Sequence, residues 1–367
     1  MSKTIFFLVP YPKGEAPSQR FRFEQYLPDL EENGYTVELY PFLNEKTWKT
    51  LYAEGKTFKK MAGILGSFMR RFFLLFKLHR ADYIFVHREM AQIGPPVFEW
   101  IVAKVLRRKF IYDFDDAIWL TNYSETNAKF QRLKAYWKVN YCMKWASHVT
   151  AGNEYLASYA RQYNASVSII PTTIDTVNHH NEMCDQAQDK MVIGWTGTHT
   201  TMHYLNDLIP VLQELEQTHD FTFLVISNES PSFKLKSLQF IKWNKETEIE
   251  DLAKMNIGVM PLNHDIWSEG KCGFKGLQYM SLEIASVMSP VGVNTSIVHD
   301  GINGFLAGSP EEWKEKLSLL LENKELRVRL GKAGKQTIEE RYSVNSNKNK
   351  YLQIFKHEIN FRDTKSA

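Results

Sequence analysis

Trp267-Ser268-Glu269-Gly270-Lys271-Cys272-Gly273-Phe274-Lys275-Gly276-Leu277-Gln278-Tyr279-Met280-Ser281-Leu282-Glu283 lies between two short apolar runs. Ile257-Gly258-Val259-Met260-Pro261-Leu262 precedes it and Ser286-Val287-Met288 follows it, and both read as strands. Phe274, Leu277, Met280 and Leu282 recur at roughly helical spacing, so a glycine turn opens a helix between the strands. Helix N-termini collect anions because their first amides and the peptide dipole point the same way. Lys271 and Lys275 add cationic side chains beside that turn. The residues thus predict a phosphate or diphosphate pocket at the carboxyl end of a parallel sheet. Glycine-rich strand-to-helix turns also arise for packing alone, and that alternative stays open at this point.

The same stretch resembles the donor-binding motif of glycosyltransferase family 4, whose members are retaining enzymes of the GT-B fold. There, two glutamates flank a Gly-Phe-Gly-like turn and the run continues Glu-Ala-Met-Ala. Gln278-Tyr279-Met280-Ser281 occupies that last slot here. Downstream, Ser289-Pro290-Val291-Gly292 and Ile297-Val298-His299-Asp300-Gly301-Ile302-Asn303-Gly304-Phe305-Leu306 fit the family pattern as well. The resemblance implies an α/β protein of GT-B type, two Rossmann-like doubly wound domains facing across a cleft. It also implies a nucleotide diphosphate-sugar donor, an acceptor hydroxyl, retention at the anomeric carbon and no metal or other cofactor. The family's usual work adds a carbohydrate or lipid-linked acceptor in bacterial surface polysaccharide or lipopolysaccharide synthesis.

Composition bounds the alternatives. The 367 residues suit two domains, and 45 basic against 42 acidic residues leave no global charge that demands nucleic acid. Cys142, Cys184 and Cys272 share no metal-ligand spacing, and their odd number argues against a disulfide framework. A reducing cytosol is the expected location. The apolar run Ile5 to Val9 is too short to span a membrane and reads as a strand.

Domain boundaries are expected near residues 175 and 342: 1–175 an acceptor-side domain, 176–342 a donor domain, and 343–367 a helix returning to the first. Asn178 to Asp189 reads as the linker, with His179 and His180 exposed in it. After the first strand, a helix beginning near Ser18 as N-cap carries Arg20 and Arg22. The resemblance makes Ser18, Arg20 and Arg22 candidates for an anionic ligand or the acceptor; a solvated helix face is the competing reading. Residues 56–80 interleave lysines and arginines with apolar side chains and contain no acid, which suits an anionic inner-membrane surface or, alternatively, an ordinary domain helix.

Two further strands, Tyr83–Val86 and Phe110–Tyr112, end at His87-Arg88-Glu89 and Asp113-Phe114-Asp115-Asp116. Side chains at the carboxyl ends of parallel strands face the ligand crevice. The resemblance places Asp115 in a histidine slot, Asp116 in an aspartate slot and His87 near another histidine, giving three catalytic candidates. Asp-Phe-Asp-Asp also invites a metal-dependent GT-A reading, in which it would hold a divalent cation under a diphosphate, or a plain helix cap. A helical stretch rich in Tyr, Trp and Lys is expected from Phe130 to Trp145.

In the second half, Thr196, Gly197 and Thr198 stand where the family has a Gly-Arg turn, and can offer amides and hydroxyls to phosphate. Trp243 falls in the segment that resembles the nucleobase-holding strand. Gln278 replaces the glutamate that binds ribose hydroxyls, and Gly270 replaces the other glutamate, with Glu269 beside it as the candidate. Glu283 and Ala285 fill places usually held by Gly and Pro. The donor set is therefore Thr196, Gly197, Thr198, Trp243, Lys271, Gly273, Phe274, Lys275 and Gln278. A degenerate GT-B protein that binds nucleotide-sugar or a partner without turnover is the rival from another class. A GT-B epimerase or phosphorylase is a third reading.

Overall fold

The computed structural model describes residues 2–52, 55, 57–121, 134–187 and 190–357. Lys56, Asp189, the start of the helix expected from Phe130 and the tail beyond 357 lie outside the described residues. The chain forms two compact units, Met1–Thr172 with Lys348–Ala367, and Thr173–Asn347.

In the first unit six strands, β1 (Lys3–Val9), β2 (Tyr35–Pro41), β3 (Tyr83–His87), β4 (Ile111–Phe114), β5 (His148–Ala151) and β6 (Val167–Ile169), form one sheet in the order β2-β1-β3-β4-β5-β6. All pairings are parallel, with Ile5 opposite Val37 on one side and Tyr83 on the other. Ile5 to Val9 is fully buried, as a central strand covered on both faces must be. The chain runs one way from β1 to β2 and the other way from β2 onward. Right-handed crossovers therefore place the helix Leu27–Glu32 on one face and Thr57–Leu75, Val97–Trp100 and Lys138–Trp145 on the other. The first face is closed by the helix Val344–His357, whose Tyr351 stacks on Tyr26 at 4.3 Å and whose Phe355 packs on Phe7 and Tyr83.

In the second unit β7 (Met191–Gly197), β8 (Phe221–Ser227), β9 (Leu238–Lys242), β10 (Ile257–Met260), β11 (Ala285–Met288) and β12 (Phe305–Leu306) form a parallel sheet in the order β12-β11-β10-β7-β8-β9. The order reverses between β7 and β10, which makes their carboxyl ends the topological switch point where doubly wound sheets hold ligands. Two six-stranded parallel sheets leave no room for the single-sheet GT-A reading. Its metal motif fails as well, because Asp113 lies inside β4 and is buried.

Glu283, in the slot where the family has glycine, takes a left-handed backbone with φ 61°. The turn is held from several sides: Lys335 Nζ lies 3.4 Å from the Glu283 carboxylate, and Cys184 Sγ donates to the Glu283 carbonyl at 3.2 Å. That carbonyl presses on Gly331 in the helix Lys324–Thr337, where an added Cβ would lie 2.1 Å from it. Helix propensity alone would reward Gly331→Ala by about 1 kcal/mol. The backbone contact reverses the sign, and a net loss of about 1–3 kcal/mol is expected from urea unfolding midpoints.

Candidate functional site

The switch point of the second sheet is assembled by glycines. Gly273, at φ 69°, is the N-cap of the helix Phe274–Ser281, and a Cβ there would lie 2.3 Å from Ile297 Cδ1. A Cβ on Gly258 of β10 would meet the Tyr279 ring at 2.4 Å, and one on Gly276 would meet Met288 Cε at 2.0 Å. Both glycines let the helix lie directly on β10 and β11. Its position along the sheet is fixed by Tyr279, whose hydroxyl accepts a hydrogen bond from the Thr196 amide at 3.0 Å.

That bond ties the end of β7 to the second half of the helix, and the next residue, Gly197, reaches Lys275 at the helix start. Thr196 is buried, and Gly197 sits against both Trp195 and Lys275: a Cβ there would lie 2.5 Å from the indole and 2.9 Å from Lys275 Cε. Lys275 Nζ lies 5.5 Å from the centroid of the Trp195 ring. The indole thus supports the ammonium at the corner where strand end and helix start meet. Lys271 lies 5.5 Å over Trp267 on the preceding turn. Thr196, Gly197, Gly273, Phe274 and Lys275 therefore belong to one corner. First-turn amides, the helix dipole and an ammonium add there to a positive field suited to a phosphate.

The other donor candidates surround this corner less closely. Thr198 is exposed, with its hydroxyl 2.8 Å from that of Thr200. Glu269 ends the short helix Ile266–Glu269, and its backbone is hugged by Gly292, where a Cβ would lie 2.9 Å from the Glu269 carbonyl. Gln278 is buried, and its Nε2 lies 3.4 Å from His180 Nε2. His180 is fully buried, which corrects the exposed reading of the His179-His180 pair. The loop turns inward because the His180 amide donates to the Asp175 carbonyl at 2.7 Å. From there a chain of polar contacts runs on. His180 Nδ1 lies 2.9 Å from His179 Nδ1, His179 Nε2 lies 3.9 Å from Glu248, and Trp243 Nε1 donates to Glu248 at 3.3 Å. Sequence reasoning found the two ends, Trp243 and Gln278, and missed the links. No spacing marks the links from His180 to Gln278 and from His179 to Glu248, which join far-apart segments.

The first unit holds a second cluster. Asp113 on β4 accepts hydrogen bonds from Arg22 and, at 2.7 Å, from the Thr150 hydroxyl, while His87 Nδ1 lies 2.7 Å from its other oxygen. Burial alone would raise the Asp113 pKa, but the Arg22 guanidinium, with help from His87, holds it well below its ordinary 3.8. His87 Nε2 is buried and has no hydrogen-bond partner among the described residues. Arg22 is buried too and also donates to the Ile170 carbonyl. It therefore lies on neither the acceptor surface nor the solvated face that the sequence suggested, because its charge is needed against Asp113. Ser18 is not an N-cap: the helix Pro17–Arg20 is preceded by Ala16, and Pro17 supplies the first turn. Arg20 lies over the Phe21 ring at 4.9 Å.

Asp115 and Asp116 follow β4 and are half-buried. Arg88, held at a left-handed φ of 57°, donates to Asp115 through Nε at 2.8 Å. Burial would lower the Arg88 pKa, and the charges of Asp115 and Asp116 raise it instead. The Asp116 carboxylate accepts from the Ala117 amide at 3.0 Å. Among the described residues no cluster of three or more His, Cys, Asp or Glu is placed to hold a metal.

Residues 186–337 match the family model described as glycosyl transferases group 1. The matched segment lies within the second unit and spans most of it. It contains the whole corner at β7 and the helix Phe274–Ser281, with Trp243, Glu269 and Gln278. Solved structures extend the likeness over both units. Sucrose-phosphate synthase from Thermosynechococcus elongatus superposes with a TM-score of 0.71 at 12% identity, over 97% of this chain and 99% of that one. A glycosyltransferase from Rickettsia africae gives 0.67 at 12% identity over 100% of both chains. HepE from Anabaena, solved in complex with UDP and glucose, gives 0.63 at 15% identity over 97% and 100%. At such identities the likeness shows the fold, two Rossmann-like units of GT-B type. No curated protein matches the chain in sequence.

Proposed function

We propose that this chain is a group 1 glycosyl transferase that moves a hexosyl or deoxyhexosyl group from a nucleotide diphosphate-sugar to an acceptor hydroxyl, with retention and without a metal, as in family 4. The observation that carries the reading is the corner where Gly197, Lys275 and the helix N-cap Gly273 converge at the switch point. A diphosphate seated there gains charge as the sugar leaves. Amides and ammonium groups fixed beforehand then stabilise the transition state more than the ground state. Thr196, Thr198, Phe274 and Lys271 complete the phosphate side. Trp243 supports the base and Gln278 the ribose. Retention follows from front-face attack, with a donor phosphate oxygen assisting deprotonation of the acceptor. His87, Asp115, Asp116 and Glu269 are the groups assigned to orienting donor and acceptor hydroxyls. The acceptor on this reading is a carbohydrate or a lipid-linked carbohydrate in bacterial surface polysaccharide or lipopolysaccharide assembly, met at the cytoplasmic side of the membrane.

The test is incubation of the full chain with UDP-, ADP-, GDP-, CDP- and dTDP-sugars in EDTA, with and without oligosaccharide or lipid-linked acceptors. Nucleotide release is followed and the product anomer read by NMR. An α-linked donor giving an α-linked product supports the proposal; an inverted product or a strict metal requirement overturns it. The rival, nucleotide-sugar binding without turnover, draws on the neutral Gln278 and on its engagement by His180. If Gln278 meets ribose hydroxyls through two ordinary hydrogen bonds, Gln278→Ala raises the donor KM by about tenfold or somewhat more. The turnover number stays near wild type, because binding to the ribose is the same in ground and transition states.

A further inference from the structure

One helical layer of the first unit carries an apolar surface that the described residues leave exposed. The helix Thr57–Leu75 is apolar on two sides. Its inner side packs through Phe68, Leu74 and Leu75, and there Arg71 is spent on the carbonyls of Met90, Tyr40 and Val9 at 2.8–3.1 Å. On the outer side Phe58, Met61, Leu65, Met69, Phe72 and Phe76 follow one another at helical spacing in an exposed stripe. Phe58 is 85% exposed, and Leu65 and Phe76 are each 65% exposed, which no internal packing requires.

Neighbouring elements of the same layer carry exposed apolar side chains as well. Phe68 stacks on Phe98 at 6.0 Å, joining the segment where Val97 and Trp100 are exposed. Lys138 Nζ donates to the Ala91 carbonyl at 2.8 Å and ties in the helix Lys138–Trp145, at whose start Trp137 and Tyr141 stand exposed one turn apart. The exposed charge on this layer is mainly basic: Glu99 is buried and Glu89 is paired with Lys138. Residues 57–81, 100–112 and 134–147 contain no Asp or Glu, while Lys59, Lys77, Lys104, Arg107 and Lys144 are exposed. The whole chain is only +3, so the basic character is concentrated here.

We propose that this three-helix face docks in the plane of an anionic lipid bilayer, with the Phe58–Phe76 stripe in the acyl boundary and Trp100, Trp137 and Tyr141 at headgroup depth. An apolar stripe flanked by lysines supplies both signals that in-plane binding needs. Trp and Tyr are the side chains that favour the interface. No helix of the described residues is long and apolar enough to cross a membrane, so the contact is lateral. Charge decides against a second copy as the occupant: a two-fold interface would set this basic face against itself. The proposal does not rest on glycosyl transfer, because lipid binding is read without donor or turnover.

The test is flotation of the full chain with vesicles of phosphatidylcholine alone and of phosphatidylcholine with phosphatidylglycerol, at low and high salt. Binding to the anionic vesicles should exceed binding to the neutral ones by at least about tenfold and weaken with salt. Leu65→Glu with Phe72→Glu should remove it, and Lys59→Glu with Lys77→Glu should weaken it by about tenfold, with circular dichroism unchanged. Three results would each overturn the proposal. One is no preference for anionic vesicles. Another is wild-type binding by the Leu65→Glu, Phe72→Glu variant. The third is a dimer in solution that the same pair of substitutions dissolves.

Discussion

Asp113→Asn is expected to destabilise the protein by about 3–5 kcal/mol, the usual cost of removing one partner from a buried charge pair. Asp113 is almost fully buried and forms a salt bridge with the equally buried Arg22. The amide keeps the size of the carboxylate and can still meet Thr150 and His87. What it cannot do is neutralise the buried guanidinium. The same pairing gives a pH dependence with a definite sign. The folded pKa of Asp113 lies below its ordinary 3.8, chiefly through Arg22 acting against burial. Its contribution is therefore complete above about pH 4 and is lost as the pH falls below that value. In urea unfolding midpoints measured from pH 6 down to pH 2, this contribution should hold level to about pH 4 and then fall for the wild type. For Asp113→Asn the midpoints should start lower and fall less. Equal midpoints at pH 6 would show that Arg22 is compensated elsewhere.

The Lys271→Ala, Lys275→Ala double variant should lower kcat/KM for donor turnover by about 100-fold to 1,000-fold, the range seen when a preorganised donor is taken from a developing anion. Most of that loss is assigned to Lys275. Its ammonium is carried over the Trp195 indole to the edge of Gly197, whereas Lys271 stands over Trp267 on the preceding turn. Each lysine lies over an indole face, a contact worth about 1 kcal/mol or less. A double variant with wild-type turnover would remove both lysines from the site. One that merely unfolds would be recognised by its circular dichroism and excluded.

The parts of the site that were legible in the sequence are those built from contiguous residues. Ile257–Leu262, the glycine turn and the apolar period of Phe274 to Leu282 carry their geometry locally, and the switch-point helix forms where they place it. Contacts between distant segments were not legible. Asp113 reads as one of three similar carboxylates after a short strand. Only the actual extent of β4, Ile111–Phe114, puts it inside the sheet and leaves Asp115 and Asp116 beyond it. Arg22 looks like a surface arginine until Asp113 is brought to it across 91 residues. His180 sits in a polar run that resembles a linker, and its burial depends on Gln278, 98 residues away. Glu283 departs from the family's glycine without changing the turn, because Gly331, Lys335 and Cys184 hold its backbone in place.

The most direct test of the donor corner is isothermal titration of the full chain with UDP, ADP, GDP, CDP and dTDP in EDTA, for the wild type and for Lys275→Ala. The account predicts that one nucleotide diphosphate binds the wild type in the micromolar range without metal, and that Lys275→Ala weakens it by about tenfold or more. No binding by any of the five, or equal binding by the variant, would contradict the assignment of the Gly197–Lys275 corner to a diphosphate.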